Sequence, residues 1–259
     1  MTRSLLAESL ARRDLVLNMK VLTYNIHRGA NVNDKYDLNR IIDVVRTSGA
    51  DICGLQELDN KYHERSNFED QLEIMAKALS MNKIGGPCII PDENDESVWY
   101  GNGILSRFPI VESYVHRMYM GDDQKIKYDG TRETEPRSFI QAKVDLGEGK
   151  YLWTIITHLS FHSSDERMRQ VKKLEEAVME VKGPLILMGD LNSEPQSEEL
   201  TVLRKLLDDP SMGKKFVTEP VGKVQIDYIL TREVKVEEIK VIDTDASDHF
   251  PLFAKLRIE

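Results

Sequence analysis

The chain alternates between short apolar runs and longer stretches whose apolar positions recur every three or four residues. The short runs predict strands over 20–25, 51–57, 84–90, 102–107, 110–114, 137–146, 151–158, 185–190, 225–230, 234–242 and 252–258. Ile140, Ala142, Val144 and Leu146 alternate with polar neighbours, the pattern of a half-buried antiparallel strand. The longer stretches predict helices over 38–47, 68–79, 165–181 and 196–207. The first places Leu38, Ile41, Ile42 and Val45 on one face, with Asp37 ahead of it and Gly49 just past its end. Ser66 and Glu69 stand at capping-box spacing before the second, whose stripe is Phe68, Leu72, Met75 and Leu79. Ser163 and Glu166 do the same for the third, with Met168, Val171, Leu174, Val178 and Val181. These stripes read as core-facing surfaces. Strands interleaved with amphipathic helices predict a mixed α/β protein. Residues 91–96, rich in acid, and 117–136, polar and mixed in charge, fit neither class and read as surface loops, the kind of segment that often shapes a substrate site.

At 259 residues the chain is long enough for one large domain with its own core. The expected layout is a short helix or arm over 1–18, where leucines are scattered among charges, and a single domain over 19–259; Met19 is an alternative start. The first residues lack the continuous apolar segment of a signal peptide, and no run approaches a membrane span, so the expected location is cytoplasmic. Acids outnumber bases 44 to 35, a net charge of −9. That balance opposes a general nucleic-acid coat or a polybasic membrane binder, though not a nuclease with a small positive groove. Cys53 and Cys88 lie in apolar runs and read as buried thiols without a disulfide framework.

Chemistry gathers at strand ends. Four predicted strands close on Asn25, Glu57, His158 and Asp190. A carboxylate directly after a buried run is unfavourable unless it is paired, hydrogen-bonded or bound to a metal. Glu57, Asp190, Asp227 and Asp248, with the amides Asn25 and Asn192, form a set of hard oxygen donors suited to magnesium or manganese. Zinc spacings, phosphate-cradling glycine loops and the serine-hydrolase elbow are all missing from the sequence. Ser247-Asp248-His249 sets an acid next to a potential base, and Asp227 is the best carboxylate to orient His249.

Taken in order, TYNIHRG with Asn25, LQELD with Glu57, GNGILSRFPI with Asn102, THLS with His158, GDLNSEP with Asp190 and Asn192, IDYIL with Asp227, and SDHFPL with Asp248 and His249 resemble the endonuclease/exonuclease/phosphatase superfamily. That group includes deoxyribonuclease-like and repair nucleases, sphingomyelinases and inositol-polyphosphate phosphatases. The likeness runs from about Lys20 to the C-terminus. It implies a four-layer α/β sandwich of two packed, mostly antiparallel mixed sheets flanked by helices. It implies Glu57 as the main metal carboxylate, with Asn25 beside it and Asp248 as a further acid. His249 then pairs with Asp227, Asp190 and Asn192 position water and phosphate, and His158 is the second histidine. The implied reaction is attack of water on phosphorus, with His249 or Asp190 as general base.

Several residues keep two readings. His27 and Arg28 can reach a phosphate or form a surface turn, and Asn102 can bond within the site or serve as a turn amide. Arg107 reads as structural, Arg137 as an ion-pair partner before a phosphate contact, Arg167 and Gln170 as loop anchors, and Trp99-Tyr100 as core before a stacking surface. The expected function is a metal-dependent phosphoester hydrolase of phosphodiesterase or nuclease type. Phosphomonoesterase and phospholipid phosphodiesterase are the alternatives, and a non-catalytic binding module is the remote one. Nucleic acid, nucleotide, lipid head group and inositol phosphate are the substrate classes open to it.

Overall fold

A computed structural model describes residues 16–92, 94–118 and 135–259. In chain order the strands are β1 (Leu17–Asn25), β2 (Ile52–Asn60), β3 (Asn82–Ile89), β4 (Trp99–Ser106), β5 (Ile110–Met118), β6 (Arg137–Gly147), β7 (Lys150–His158), β8 (Leu185–Asp190), β9 (Asp227–Arg232), β10 (Lys235–Val241) and β11 (Leu252–Ile258). The helices are α1 (Leu38–Ser48), α2 (Gln71–Leu79), α3 (Ser164–Glu180) and α4 (Glu198–Leu203). One sheet has the order β10-β11-β1-β2-β4-β3, the other β5-β6-β7-β8-β9. Each sheet contains one parallel pair, β1–β2 and β7–β8, and these are the steps bridged by α1 and α3, because a parallel step needs a crossover connection.

The strand period of two sorts side chains into separate layers. Met19 and Val21 of β1 meet Ile104, Ile140, Ile156 and Ile186 between the sheets. Leu22 and Tyr24 of the same strand turn the other way, toward Ile41 and Val45 of α1 and Leu72 of α2. On the far side, Ile155, Leu185 and Leu187 pack on Val171 and Leu174 of α3 and Leu200 of α4. The result is the four-layer α/β sandwich of two mixed sheets that the motifs implied. Among the described residues no helix is long and apolar enough to cross a membrane. Cys53 and Cys88 are buried free thiols; burial pushes Cys53 up to about 12 and also raises Cys88.

Several boundaries differ from the sequence pattern. β1 starts at Leu17, so Leu17 and Asn18 pair with Ile258 and Arg257 and belong to the sheet instead of the arm. β2 does not end at Glu57 but continues to Asn60. Asp227 opens β9 and is not embedded within it. The second helix starts at Gln71, where Asp70 caps the amide of Glu73 at 3.0 Å. Ser66 instead closes a 3-10 turn, Asn67 and Phe68 follow with φ of 56° and 53°, and Phe68 is 59% exposed, off the core stripe. A left-handed pair cannot propagate a right-handed helix, so the apolar spacing of Phe68 is coincidental. Ser163 does cap Glu166, at 3.2 Å, and Gly49 ends α1 with φ of 65°. Asp37 precedes α1 without a side-chain cap bond. α4 covers only half of the predicted 196–207 stretch. Of the sequence expectations, those for the arm over 1–15 and for the loop residues 119–134 lie outside the described residues.

Gly189 sets how closely β8 approaches β7. Its φ is 153°, and a Cβ there would meet the Thr157 carbonyl oxygen at 1.9 Å. That contact is with backbone and cannot relax locally. Gly189→Ala is therefore expected to lower unfolding free energy by about 3 kcal/mol or more in urea denaturation; a smaller change would show that the two strands can separate freely.

Candidate active site

The register of β7, β8 and β9 puts His158 beside Asp190 and Asp190 beside Asp227 along one rim. The Asp190 carboxylate, 1% exposed, is the hub. Its Oδ2 accepts from Asn25 Nδ2 at 3.1 Å and lies 3.3 Å from His158 Nε2 and 3.8 Å from His249 Nε2. Its Oδ1 accepts from the Asn192 amide at 2.9 Å. Asn25 stands at the end of β1, in the other sheet, so its bond to Asp190 ties the two sheets together at the rim. Asn25 Nδ2 also donates to Glu57 Oε1 at 3.0 Å, and Asn25 Oδ1 accepts from the His27 amide at 3.1 Å. The segment before β11 joins through Ser247, whose hydroxyl donates to the Asn25 carbonyl at 2.8 Å and thereby seats Asp248 and His249. His249 Nδ1 bonds Asp227 Oδ2 at 2.9 Å. Thr218 fixes that aspartate by accepting from the Ile226 and Asp227 amides at 3.0 and 3.1 Å.

Glu57 owes its position to a break in the β2–β4 ladder. Leu55 pairs with Gly103 and Leu58 with Gly101, leaving Gln56 and Glu57 opposite Asn102 alone. Such a bulge re-aims a side chain without ending the strand. Glu57 takes φ of 61°, and His27, Arg28 and Asn192 take 44°, 55° and 46°. Left-handed backbone at residues other than glycine costs of order 1 kcal/mol or more each, and such strain concentrates at functional sites.

Burial and neighbouring charge separate the two histidines. Burial, then the charges of Arg137 and His249, hold His158 well below the ordinary imidazole range, so its ring is neutral. Burial also acts against charge on His249, but Asp227, its hydrogen bond and Asp190 outweigh it and hold His249 well above that range. Burial, reinforced by Asp227, pushes the Asp190 carboxyl up to about 7. Burial raises Asp248 as well; His249 and His27 oppose this, and the Glu57 charge adds to it.

These groups line a cleft of about 280 Å³. Glu57, Asp190, Asp248, His158, Asn192, His249, His27 and Arg28 all reach it. Asp227 stands behind, on His249, and Asn25 behind Glu57 and Asp190. Asn102 is the exception among the residues singled out for substrate contact. It is 1% exposed, donates to the Ser138 carbonyl at 2.9 Å and does not line the cleft, because it occupies the strand position opposite the bulge. Arg107 reaches the Ala50 carbonyl and Asp51, and Arg167 and Gln170 anchor Ser160, all as expected. His162 stacks on Phe161 outside the cluster. Arg137 pairs with Glu135 at 3.1 Å, and it also touches His158 Nδ1 at 3.1 Å and lines the cleft. A guanidinium has no acceptor, so Nδ1 accepts here, while Nε2 faces Asp190 Oδ2 at 3.3 Å and Asn192 Nδ2 at 3.1 Å. The sequence pattern did not single out Arg65, Tyr62, Glu135 or Phe161, which also line the cleft. The available signal was position alone: each follows or precedes a strand that carries a candidate group.

Two donor sets can be drawn for a cation. Asp190, Asp227 and His249 bring ligand atoms within 4.8 Å of one another, but His249 Nδ1 and Asp227 Oδ2 already bind each other. Glu57, Asp190 and Asp248 share the open cleft, and Glu57 raises the Asp248 carboxyl, a like-charge conflict that a hard divalent ion relieves. The carboxylates present therefore fit such an ion.

The model of the Endonuclease/Exonuclease/phosphatase family matches residues 22–249. An uncharacterised protein, YbhP of Escherichia coli K12, is 30% identical over 262 residues, covering 93% of this chain and 97% of that protein. A UPF0294 protein of Vibrio campbellii is 28% identical over 130 residues, a match that spans only 46% of its length. Among solved structures, a family protein from Bacteroides thetaiotaomicron superposes with a TM-score of 0.73 at 21% identity, covering 94% of this chain and 99% of that one. A mannosyl-6-phosphatase from the same species gives 0.65 at 21% identity, covering 92% and 99%.

The Asp227–His249 bond makes a direct prediction for the chelator-treated protein. In Asp227→Asn the carboxylate that holds the ring charged is gone, so the His249 titration, followed by NMR, should move to lower pH. An unmoved midpoint would show that Asp227 is not the group that sustains the imidazolium.

Proposed function

The chain belongs to the Endonuclease/Exonuclease/phosphatase family, whose members hydrolyse phosphoester bonds, and from that premise we propose that it is a divalent-metal-dependent phosphodiesterase. The observation that carries this reading is the convergence, in one cleft, of three carboxylates with two histidines of opposite character. Glu57 and Asp248, with Asn25 oriented beside them, would hold magnesium or manganese. When bound, that ion supplies positive charge to the phosphate oxygens.

The remaining work falls to this chain's side chains. Asp190 lies between both histidines and below Asn192, so it is placed to orient a water and accept its proton as it attacks phosphorus. His249, charged and steered by Asp227, donates through Nε2 to the negative charge that develops on the phosphate. His158 is neutral, with Nδ1 on Arg137, and its Nε2 would add a second contact to the phosphate from the β7 end. Asn192 keeps the β8 rim in register through its bonds to Asp190 and to the Leu159 carbonyl at 3.0 Å. The burial of Asp190 keeps bulk water from competing for these contacts.

The test is a panel of bis-p-nitrophenyl phosphate, p-nitrophenyl phosphate, plasmid DNA, single-stranded RNA, sphingomyelin and inositol phosphates, each with magnesium, manganese or chelator. Diester cleavage should require metal. It should fall roughly 10²- to 10⁴-fold in Asp190→Asn and His249→Ala and vanish in Glu57→Gln. Diester turnover that survives chelator or Glu57→Gln would sink the assignment, and a clear monoester preference would replace diesterase with phosphatase.

A further inference from the structure

Arg28 and Arg65 rise from the segments that follow β1 and β2, and both line the cleft beside Glu57. Each guanidinium is held by an aspartate. Asp59, fully buried, takes Arg65 Nε and Nη2 on its two oxygens, both at 2.9 Å. Asp34 takes Arg28 Nη2 at 2.6 Å. Arg65 also packs against Tyr62 and Tyr100, with ring centroids 6.0 and 5.7 Å away. The two segments are locked to each other by Gln71, which is buried, accepts from the Asp59 amide at 2.8 Å and donates to the Arg28 carbonyl at 2.7 Å. Among the described residues no hydrogen bond engages Nη1 of either arginine.

Arg65, fixed along its Nε/Nη2 edge and unengaged at Nη1, is a preorganised receptor for phosphate or carboxylate oxygens, because the entropy of ordering the side chain is lost on folding and not on binding; Arg28, held by one bond to an exposed aspartate, adds a second cation beside it. The reacting phosphate already has donors in His158, at the end of β7, and His249, just before β11. We propose that Arg28 and Arg65 form a second-anion subsite, which binds a phosphate or carboxylate of the substrate other than the ester being cleaved. The preferred substrates are then phosphoesters that carry a second anionic group. This assignment rests on the reading of the cleft as a phosphoesterase site.

The test is calorimetric and independent of turnover. With chelator present, the full chain is titrated with methyl phosphate, with ethylene-, propylene- and butylene-glycol bisphosphates, and with phosphoglycolate, whose second anion is a carboxylate. At least one probe with two anionic groups should bind roughly 10-fold or more tightly than methyl phosphate, which has one, the size of one charge-assisted pair. The glycol and glycolate arms tell phosphate from carboxylate preference. The advantage should collapse in Arg65→Gln and in Arg28→Gln, whose partner Asp34 is 75% exposed and tolerates the loss. Arg107→Gln, away from the cleft, should retain it. Equal binding of all probes to the wild type, or an advantage that persists in both cleft variants, overturns the subsite. Tight binding of a two-anion probe without metal-dependent turnover of any diester or monoester would instead overturn the phosphoesterase reading and leave the subsite standing.

Discussion

A carboxylate at the junction of two sheets governs this molecule. Asp190 ends a wholly buried strand, and an isolated charge in such a place would cost several kcal/mol. It is tolerated because each neighbour gives it something: an amide from Asn25 across the sandwich, a backbone N–H from Asn192, and two imidazoles. Those partners come from both sheets, so the rim exists only when the sheets are packed in one relative position. The inter-sheet isoleucines, Ile104, Ile140, Ile156 and Ile186, are thus as much a part of the site's geometry as the groups that line it.

Around that hub, strands and loops divide the work. Strand register supplies the fixed row His158, Asp190 and Asp227. Bulges and left-handed residues supply the groups that must leave the sheet plane, Glu57 above all. Tertiary bonds then stiffen what the loops would leave free. Ser247 secures the His249 segment, and Gln71, a helix residue far from the chemistry, secures two arginines.

The same hub explains the opposed states of the histidines. Arg137 presents only donors to His158, while Asp227 presents an acceptor to His249. One ring is held neutral and the other charged within a single cleft, and the difference is written in their contacts.

How much of this was legible beforehand follows from range. The strands, the amphipathic faces of α1 and α3, the cap at Ser163 and the ordered motifs around Asn25, Glu57, His158, Asp190 and His249 are local patterns of period and residue type. The sequence by itself therefore determined the α/β class, the family and most of the candidate groups. It misjudged Phe68 and left Asn102 between two readings, because helical spacing and a polar residue in a glycine-rich strand say nothing about φ or about which side a bulge faces. It passed over Arg65 and ranked Arg137 as an ion-pair partner ahead of a phosphate contact, because an arginine becomes part of a cleft only through partners at a distance: Asp59 and Tyr100 for one, His158 for the other. Tertiary structure alone decided which face of each strand meets the other sheet, which histidine carries charge, and which guanidinium keeps an edge unengaged. Those properties depend on burial and on pairings between segments far apart in the chain, and no local pattern encodes them.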